Sequence, residues 1–232
     1  MKRLKRELKK LSDPERAEHD SRYFKTGPGE YGEGRISLGV DTKLKRQLAK
    51  KYVSLSLNEI RSLLKNRISD YKFLALVVLH NKYKKADSSG RERLVKFYLE
   101  NTREINNWDL VDISAHHILG AYLLNHDRKV LYKLARSKDL WEKRIAIIST
   151  FAFIRAGQFD DTLKISEILL NDSHDLIHKA VGWMLREVGK KDQKVEERFL
   201  RKHYKKMPRT MLRYAIERFD EEKRLGYLLG SV

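Results

Sequence analysis

Apolar residues recur at three-and-four spacing in segment after segment of this chain, and no segment alternates with period two long enough to make a convincing strand. The pattern runs through "TKLKRQLAKKYV" (42–53), "NEIRSLLKNRI" (58–68), "DYKFLALVVLHNKYKK" (70–85) and "RERLVKFYLENT" (91–102). Punctuation is sparse. There are three prolines in 232 residues, and five of the twelve glycines fall between Gly27 and Gly39. Later segments open on cap-like signals: Asp139 with Glu142 three residues on, Asp172 or Ser173 before "HDLIHKAVGWMLREVGK", and Pro208 as a first-turn residue. The fold class is therefore all-α. Helices joined by such short breaks predict an α-solenoid of HEAT-like helical repeats, one domain over residues 1–232 with a Gly-rich loop at 26–39. Such a stack would curve and offer a concave face, and a concave face, if basic, suits a duplex. No internal sequence repeat is visible, so a compact bundle is the alternative.

The charge balance narrows the partner. Lys and Arg number 50 against 32 Asp and Glu, a net +18. Self-repulsion on that scale is offset best by a polyanion, nucleic acid first and an anionic membrane second. With 41% hydrophobic residues the chain is no disordered basic tail. The absence of cysteine excludes disulfides, thiolate metal sites and cysteine nucleophiles. "MKRLKRELKK" is basic but no apolar run follows, so no secretory leader is expected. No stretch approaches the roughly 18 apolar residues of a membrane span. An intracellular, cytoplasmic monomer is expected.

Three patterns look like sites and are better explained otherwise. "GPGEYG" (27–32) matches G-x-G-x-x-G, but a helical "AEHDSRYF" precedes it where a dinucleotide site needs a strand. It is a loop. His174 and His178 have the i,i+4 spacing of a metal pair, yet the zincin glutamate and a third ligand are missing. Asp109 and Asp112 resemble a D-x-x-D motif just as weakly. No metal and no cofactor are expected.

Four helices carry residues whose placement asks for a reason. In "INNWDLVDISAHH" (105–117), Asn106 as N-cap would put Asp109 at the capping-box position and staple Ile105 to Leu110. Asp112 lies one turn above Trp108, on the flank of a stripe made by Val111, Ala115, Ile118 and Tyr122. It is either a solvated acid or a carboxylate meant for a cation, and Trp108 is either core or contact. Arg144 falls between Trp141 and Ile148 in an apolar helix, where a guanidinium needs a phosphate, a carboxylate such as Asp112, or a route to the surface. Trp183 sits roughly 200° round its helix from Val181 and Leu185. Its own row is Asp175, Lys179, Arg186 and Lys190, a setting that suits nucleic-acid contact, with packing against a neighbouring repeat as the alternative. In "MPRTMLRYAIERF" (207–219), Leu212, Ile216 and Phe219 make a core row, and Arg209 with Arg213 offers a basic pair suited to phosphates.

Four stretches, "RYFKTGPGEYGEG", "NNWDLVDISAHHILG", "LWEKRIAIIST" and "HDLIHKAVGWMLREVGK" with "MPRTMLRYAIE", are similar to the DNA alkylation repair family of HEAT-like glycosylases, the AlkD-like enzymes. They keep the family's order from about residue 20 to 220. The resemblance implies a monofunctional glycosylase that removes cationic N3- and N7-alkylpurines from double-stranded DNA. It also implies that the lesion stays in or near the stack rather than flipping into a deep pocket. By the same resemblance Asp112 is the catalytic aspartate, Trp108 and Trp183 line the deoxyribose, and Arg144 holds the nearby backbone. Tyr23 and Lys25 in the first stretch join Lys179, Arg186, Lys190, Arg209 and Arg213 as DNA-binding residues. One departure is Arg35, which stands after "GEYGEG" where an acid is expected. A non-catalytic helical-repeat protein binding DNA or structured RNA is the alternative function, and a scaffold for an acidic protein is a third.

Overall fold

A computed structural model describes all residues from Met1 to Val232. The chain is all-α, and its one extended contact is an isolated parallel bridge between Ile36 and Ile68. No helix is long and apolar enough to cross a membrane. The chain divides into two compact units, Met1–Ser114 and Ala115–Val232.

In the first unit, α1 (Lys2–Lys10) and α2 (Pro14–Tyr23) precede the Gly-rich loop. Helices α3 (Thr42–Lys51), α4 (Leu57–Leu64), α5 (Ser69–Lys85), α6 (Ser88–Glu100) and the short α7 (Trp108–Asp112) follow it. Helix α5 is the hub, with every residue from Ser69 to Leu79 buried and α3 and α4 packed on it. A helix buried all round must find partners for its polar members. Asp70 accepts from Lys45 Nζ at 3.1 Å, a buried ion pair to α3, and from the Leu38 amide at 2.7 Å, which ties the loop's end to the core. Gly39 is the residue that lets the loop close. Its φ is +69°, and an added Cβ would stand 2.0 Å from the Asp13 carbonyl oxygen.

In the second unit a π-helical turn at His116–Gly120 leads into α8 (Ala121–Leu123). Helices α9 (Lys129–Ala135), α10 (Leu140–Ser149), α11 (Phe151–Arg155) and α12 (Asp160–Ile168) follow. The unit ends with α13 (Asp175–Gly189), α14 (Gln193–His203), α15 (Arg209–Ala215) and α16 (Glu221–Leu229). Helix α13 is its hub, packed against α10, α14 and α15. The stripe Ile177, Val181, Met184, Leu185 and Val188 is fully buried, as the spacing predicts. At Gly182 the α15 backbone comes so near that an added Cβ would meet the Met211 carbonyl oxygen at 2.4 Å.

Sequence spacing placed these helices and misplaced several ends. The 58–68 segment stops at Leu64, because the Asn66 side chain accepts from the Ile68 amide and turns the chain. Asp139 does cap α10, accepting from the amides of Trp141 and Glu142. The cap of α13 is His174 rather than Asp172 or Ser173: its Nδ1 accepts from the Leu176 amide at 3.1 Å. Pro208 stands one position outside α15, at the N-cap. Of the stripe expected of one helix, Val111, Ala115 and Ile118 are fully buried and Tyr122 is half-buried, and regular α-helix stops at Asp112.

Candidate functional site

The stretch that delivers Trp108 and Asp112 is fixed from below. Lys72 of α5 donates to the Glu104 carbonyl at 2.9 Å and to Asn106 Oδ1 at 3.1 Å, and burial holds its ammonium below the ordinary lysine range. Ile105 and Leu110 are buried, and the Ser114 hydroxyl donates back to the Leu110 carbonyl at 2.6 Å. The N-cap is Asn107, whose Oδ1 accepts from the Trp108 amide at 2.8 Å. This corrects the sequence reading, which put the cap at Asn106 and made Asp109 a capping-box residue. Asn106 is held by Lys72 instead, which leaves the next residue to start the helix.

Asp109 has a different partner. The Arg35 guanidinium donates to both of its carboxylate oxygens, at 2.9 and 2.8 Å, across 74 residues of sequence. Arg35 Cζ also lies 3.8 Å from the centre of the Phe24 ring. Phe24 in turn stacks on Trp108, with ring centres 5.2 Å apart and planes at 27°. Tyr23, 57% exposed, meets both rings edge-on, 5.1 Å from Phe24 and 5.7 Å from Trp108. The loop reaches this position through a tight reversal in which Lys25 adopts φ +48° and its carbonyl accepts from the Gly32 amide at 3.0 Å. Lys25 itself is exposed.

These groups border a hollow of about 770 Å³ within the first unit. Tyr23, Phe24 and Trp108 line it together with Asp112, which sits one turn beyond Trp108 and is partly exposed. In a strongly basic protein this wall is acidic: Asp13, Glu15, Asp20, Asp109 and Asp112 face three cations, Arg16, Arg35 and Lys45. Those cations are already committed, to Asp41, Asp109 and Asp70 respectively. An aromatic and anionic hollow of this kind suits positive charge.

The residues singled out in the second unit fall into two groups. Trp183 is half-buried, off the core stripe as predicted, with its ring centre 5.9 Å from that of Phe151 and its Nε1 donating to Glu187 at 3.2 Å. Arg155 lies over the other ring, 4.2 Å from the Phe151 centre. Trp183's neighbouring cations are less available than the sequence suggests. Lys179 pairs with Asp175 at 2.7 Å, Lys190 with Glu187 at 2.7 Å, and Arg186 with Glu217. Arg144 does not snorkel. It is 5% exposed and donates to the Leu176 carbonyl at 2.6 Å. Arg209 donates to the Leu228 carbonyl at 2.7 Å near the C-terminal end of α16, while Arg213 is exposed. His178 bonds through Nε2 to the Asp172 carbonyl, and burial holds His174 below the ordinary histidine range. No cluster of three or more His, Cys, Asp or Glu side chains has the arrangement of a metal site.

Sequence reasoning missed Phe24 and misjudged Arg35. Phe24 carried no periodic signal because it closes α2, and Arg35 was read as an oddity of the loop. The usable clue was charge: a lone arginine in place of an acid implies a carboxylate elsewhere, and Asp109 was at hand.

The family described as DNA alkylation repair enzyme matches residues 4–219 of this chain. Among solved structures, a protein from Enterococcus faecalis described as a predicted DNA alkylation repair enzyme shares the fold, with a TM-score of 0.71 at 16% identity. The similarity covers 91% of this chain and 98% of that one. Among curated proteins none matches.

Proposed function

Because this chain belongs to the DNA alkylation repair enzyme family, we propose that it is a monofunctional DNA glycosylase acting on cationic N3- and N7-alkylpurines in duplex DNA, such as 3-methyladenine and 7-methylguanine. The observation that carries this reading is the grouping of Tyr23, Phe24 and Trp108 around the hollow that also holds Asp112. A cationic alkylpurine is already a good leaving group, so the reaction needs no strong general acid. The C1′–N9 or equivalent bond breaks with both electrons going to the base, which departs neutral. Positive charge then builds on the sugar. Asp112 stabilises that charge and orients the water whose oxygen bonds to C1′, and the water's proton passes to the carboxylate or to solvent. The face of Trp108 adds cation–π stabilisation.

In the second unit, Trp183 is assigned a sugar contact and Arg144 a part in holding the strand. Tyr23, Lys25, Lys179, Arg186, Lys190, Arg209 and Arg213 are assigned contacts to the duplex. Lys179, Arg186 and Lys190 must exchange their acidic partners for phosphates to make them, an exchange that costs little at the exposed Lys179–Asp175 pair and more at Arg186, whose side chain is 16% exposed. No lysine nucleophile takes part, so strand cleavage is not expected. The test is incubation of the protein with methylated duplex DNA and chromatography of the freed bases. Release of 7-methylguanine or 3-methyladenine with the strands left intact supports the reading. Tight binding of the duplex with no base released would instead make the chain a non-catalytic DNA binder.

A further inference from the structure

Five cations that form no ion pair share one face of α1, away from the hollow. Helix α1 reads "KRLKRELKK" and sorts its side chains by face. Leu4 and Leu8 are fully buried, and Arg3 pairs with Glu7 at 2.9 Å on one flank. Lys2, Lys5, Arg6, Lys9 and Lys10 fall on the remaining face, within an arc of roughly 140° at 100° per residue. Together with Asn66, Ile68 and Tyr71 they line a groove of about 680 Å³ that contains no acid. None of the five forms an ion pair, and Lys5 sits 5.9 Å from the centre of the Tyr71 ring. Of the cations read as DNA-binding, Lys179, Arg186 and Lys190 each hold a carboxylate. Five like charges left together cost repulsion, which an external anion would relieve.

We infer that the groove lined by Lys2, Lys5, Arg6, Lys9 and Lys10 is a second docking surface, which binds the sugar-phosphate backbone of duplex DNA flanking the lesion. The inference rests on the reading that the chain acts on duplex DNA. Charge and spacing both favour this occupant. From Lys2 to Lys9 the helix rises about 10 Å, which matches about three phosphate-to-phosphate steps of one strand at about 3.4 Å of axial rise each. No base-reading group is present, so the contact positions the duplex without selecting sequence.

The test compares wild type with the combined variant Lys2→Gln, Arg6→Gln and Lys9→Gln. A charge-matched control carries Lys84→Gln, Lys85→Gln and Arg93→Gln, cations that lie outside this groove. Binding to undamaged duplexes of about one and about two helical turns is measured between about 50 and 200 mM salt. On the longer duplex the α1 variant loses about two to three from the slope of log affinity against log salt, as each lost phosphate contact removes about 0.9. The control keeps its slope on both duplexes. Equal losses in both variants would mean bulk charge alone and overturn the inference. So would an unchanged slope, including one accompanied by lost binding to phosphatidylserine vesicles, which would give the patch to a membrane. Base release is not read here, so a failed glycosylase reading leaves this result interpretable.

Discussion

Arg35 and Asp109 join the Gly-rich loop to α7 by two parallel charge-assisted hydrogen bonds of 2.9 and 2.8 Å, with side chains 10% and 14% exposed. This is the strong, forked geometry that lysine cannot reproduce. Arg35→Ala should destabilise the protein by on the order of 2–3 kcal/mol, since it strands a mostly buried carboxylate and uncovers Phe24. Arg35→Lys should recover part of that stability but not the stack on Phe24. Chemical unfolding of the three proteins checks the order; equal stabilities would mean the pair contributes nothing.

Glu196 gives the second unit a pH dependence. The residue is 1% exposed, and burial, with Glu197 nearby, pushes its carboxyl up to about 9. A carboxyl raised in the folded state favours folding most below its ordinary 4.5 and loses that contribution as pH rises toward about 9. The slope in that window is about 1.4 kcal/mol per pH unit. Glu196→Gln removes the titration, so its unfolding free energy should fall less across the same window. Parallel curves for the two proteins would sink this account.

Backbone strain and close approach are separable in the loop. Gly39→Ala meets both a positive φ and the Asp13 carbonyl, whereas Gly29→Ala meets a positive φ alone, with nothing within 4 Å of the added carbon. The second substitution should cost roughly 1–2 kcal/mol. The first should cost distinctly more, and it should loosen the loop that carries Arg35. Thermal unfolding of both variants measures the difference.

Trp183 separates contact from packing. Trp183→Phe keeps a ring against Phe151 and loses the bond to Glu187. Trp183→Ala removes the face proposed to meet the sugar, and release of 7-methylguanine should fall by roughly three- to thirty-fold, the rate equivalent of a cation–π contact. A loss confined to stability, with release from the folded fraction unchanged, would return Trp183 to a packing role.

The sequence carried the helices and their buried stripes well, because the apolar period is a property of each segment by itself. The stripe of α13 and the row Leu212, Ile216 and Phe219 were both legible for that reason. What it hid were choices between near-equal local partners. Asn106 and Asn107 can each cap a helix, and Lys72, thirty-odd residues away, decides between them. Asp109 fits a capping box locally, and Arg35 outbids the backbone amide with a full charge. Arg186 looked free because Glu217 lies outside its helix, whereas Asp175 and Glu187, which hold Lys179 and Lys190, stood in the same helix and were legible. Spacing put Trp108 and Asp112 on one helix face and the family resemblance gave them roles, whereas Phe24, which completes the aromatic group, depends on a loop reversal at Lys25 that no periodicity announces.

The central claim concerns Asp112, and the most direct measurement is single-turnover release of 7-methylguanine from methylated duplex DNA by wild type and by Asp112→Asn. The asparagine keeps the size and removes the charge. Wild type should release the base, and the variant should be slower by about a hundred-fold or more while binding the same duplex equally well. Equal rates for the two proteins would contradict the account and remove Asp112 from the chemistry.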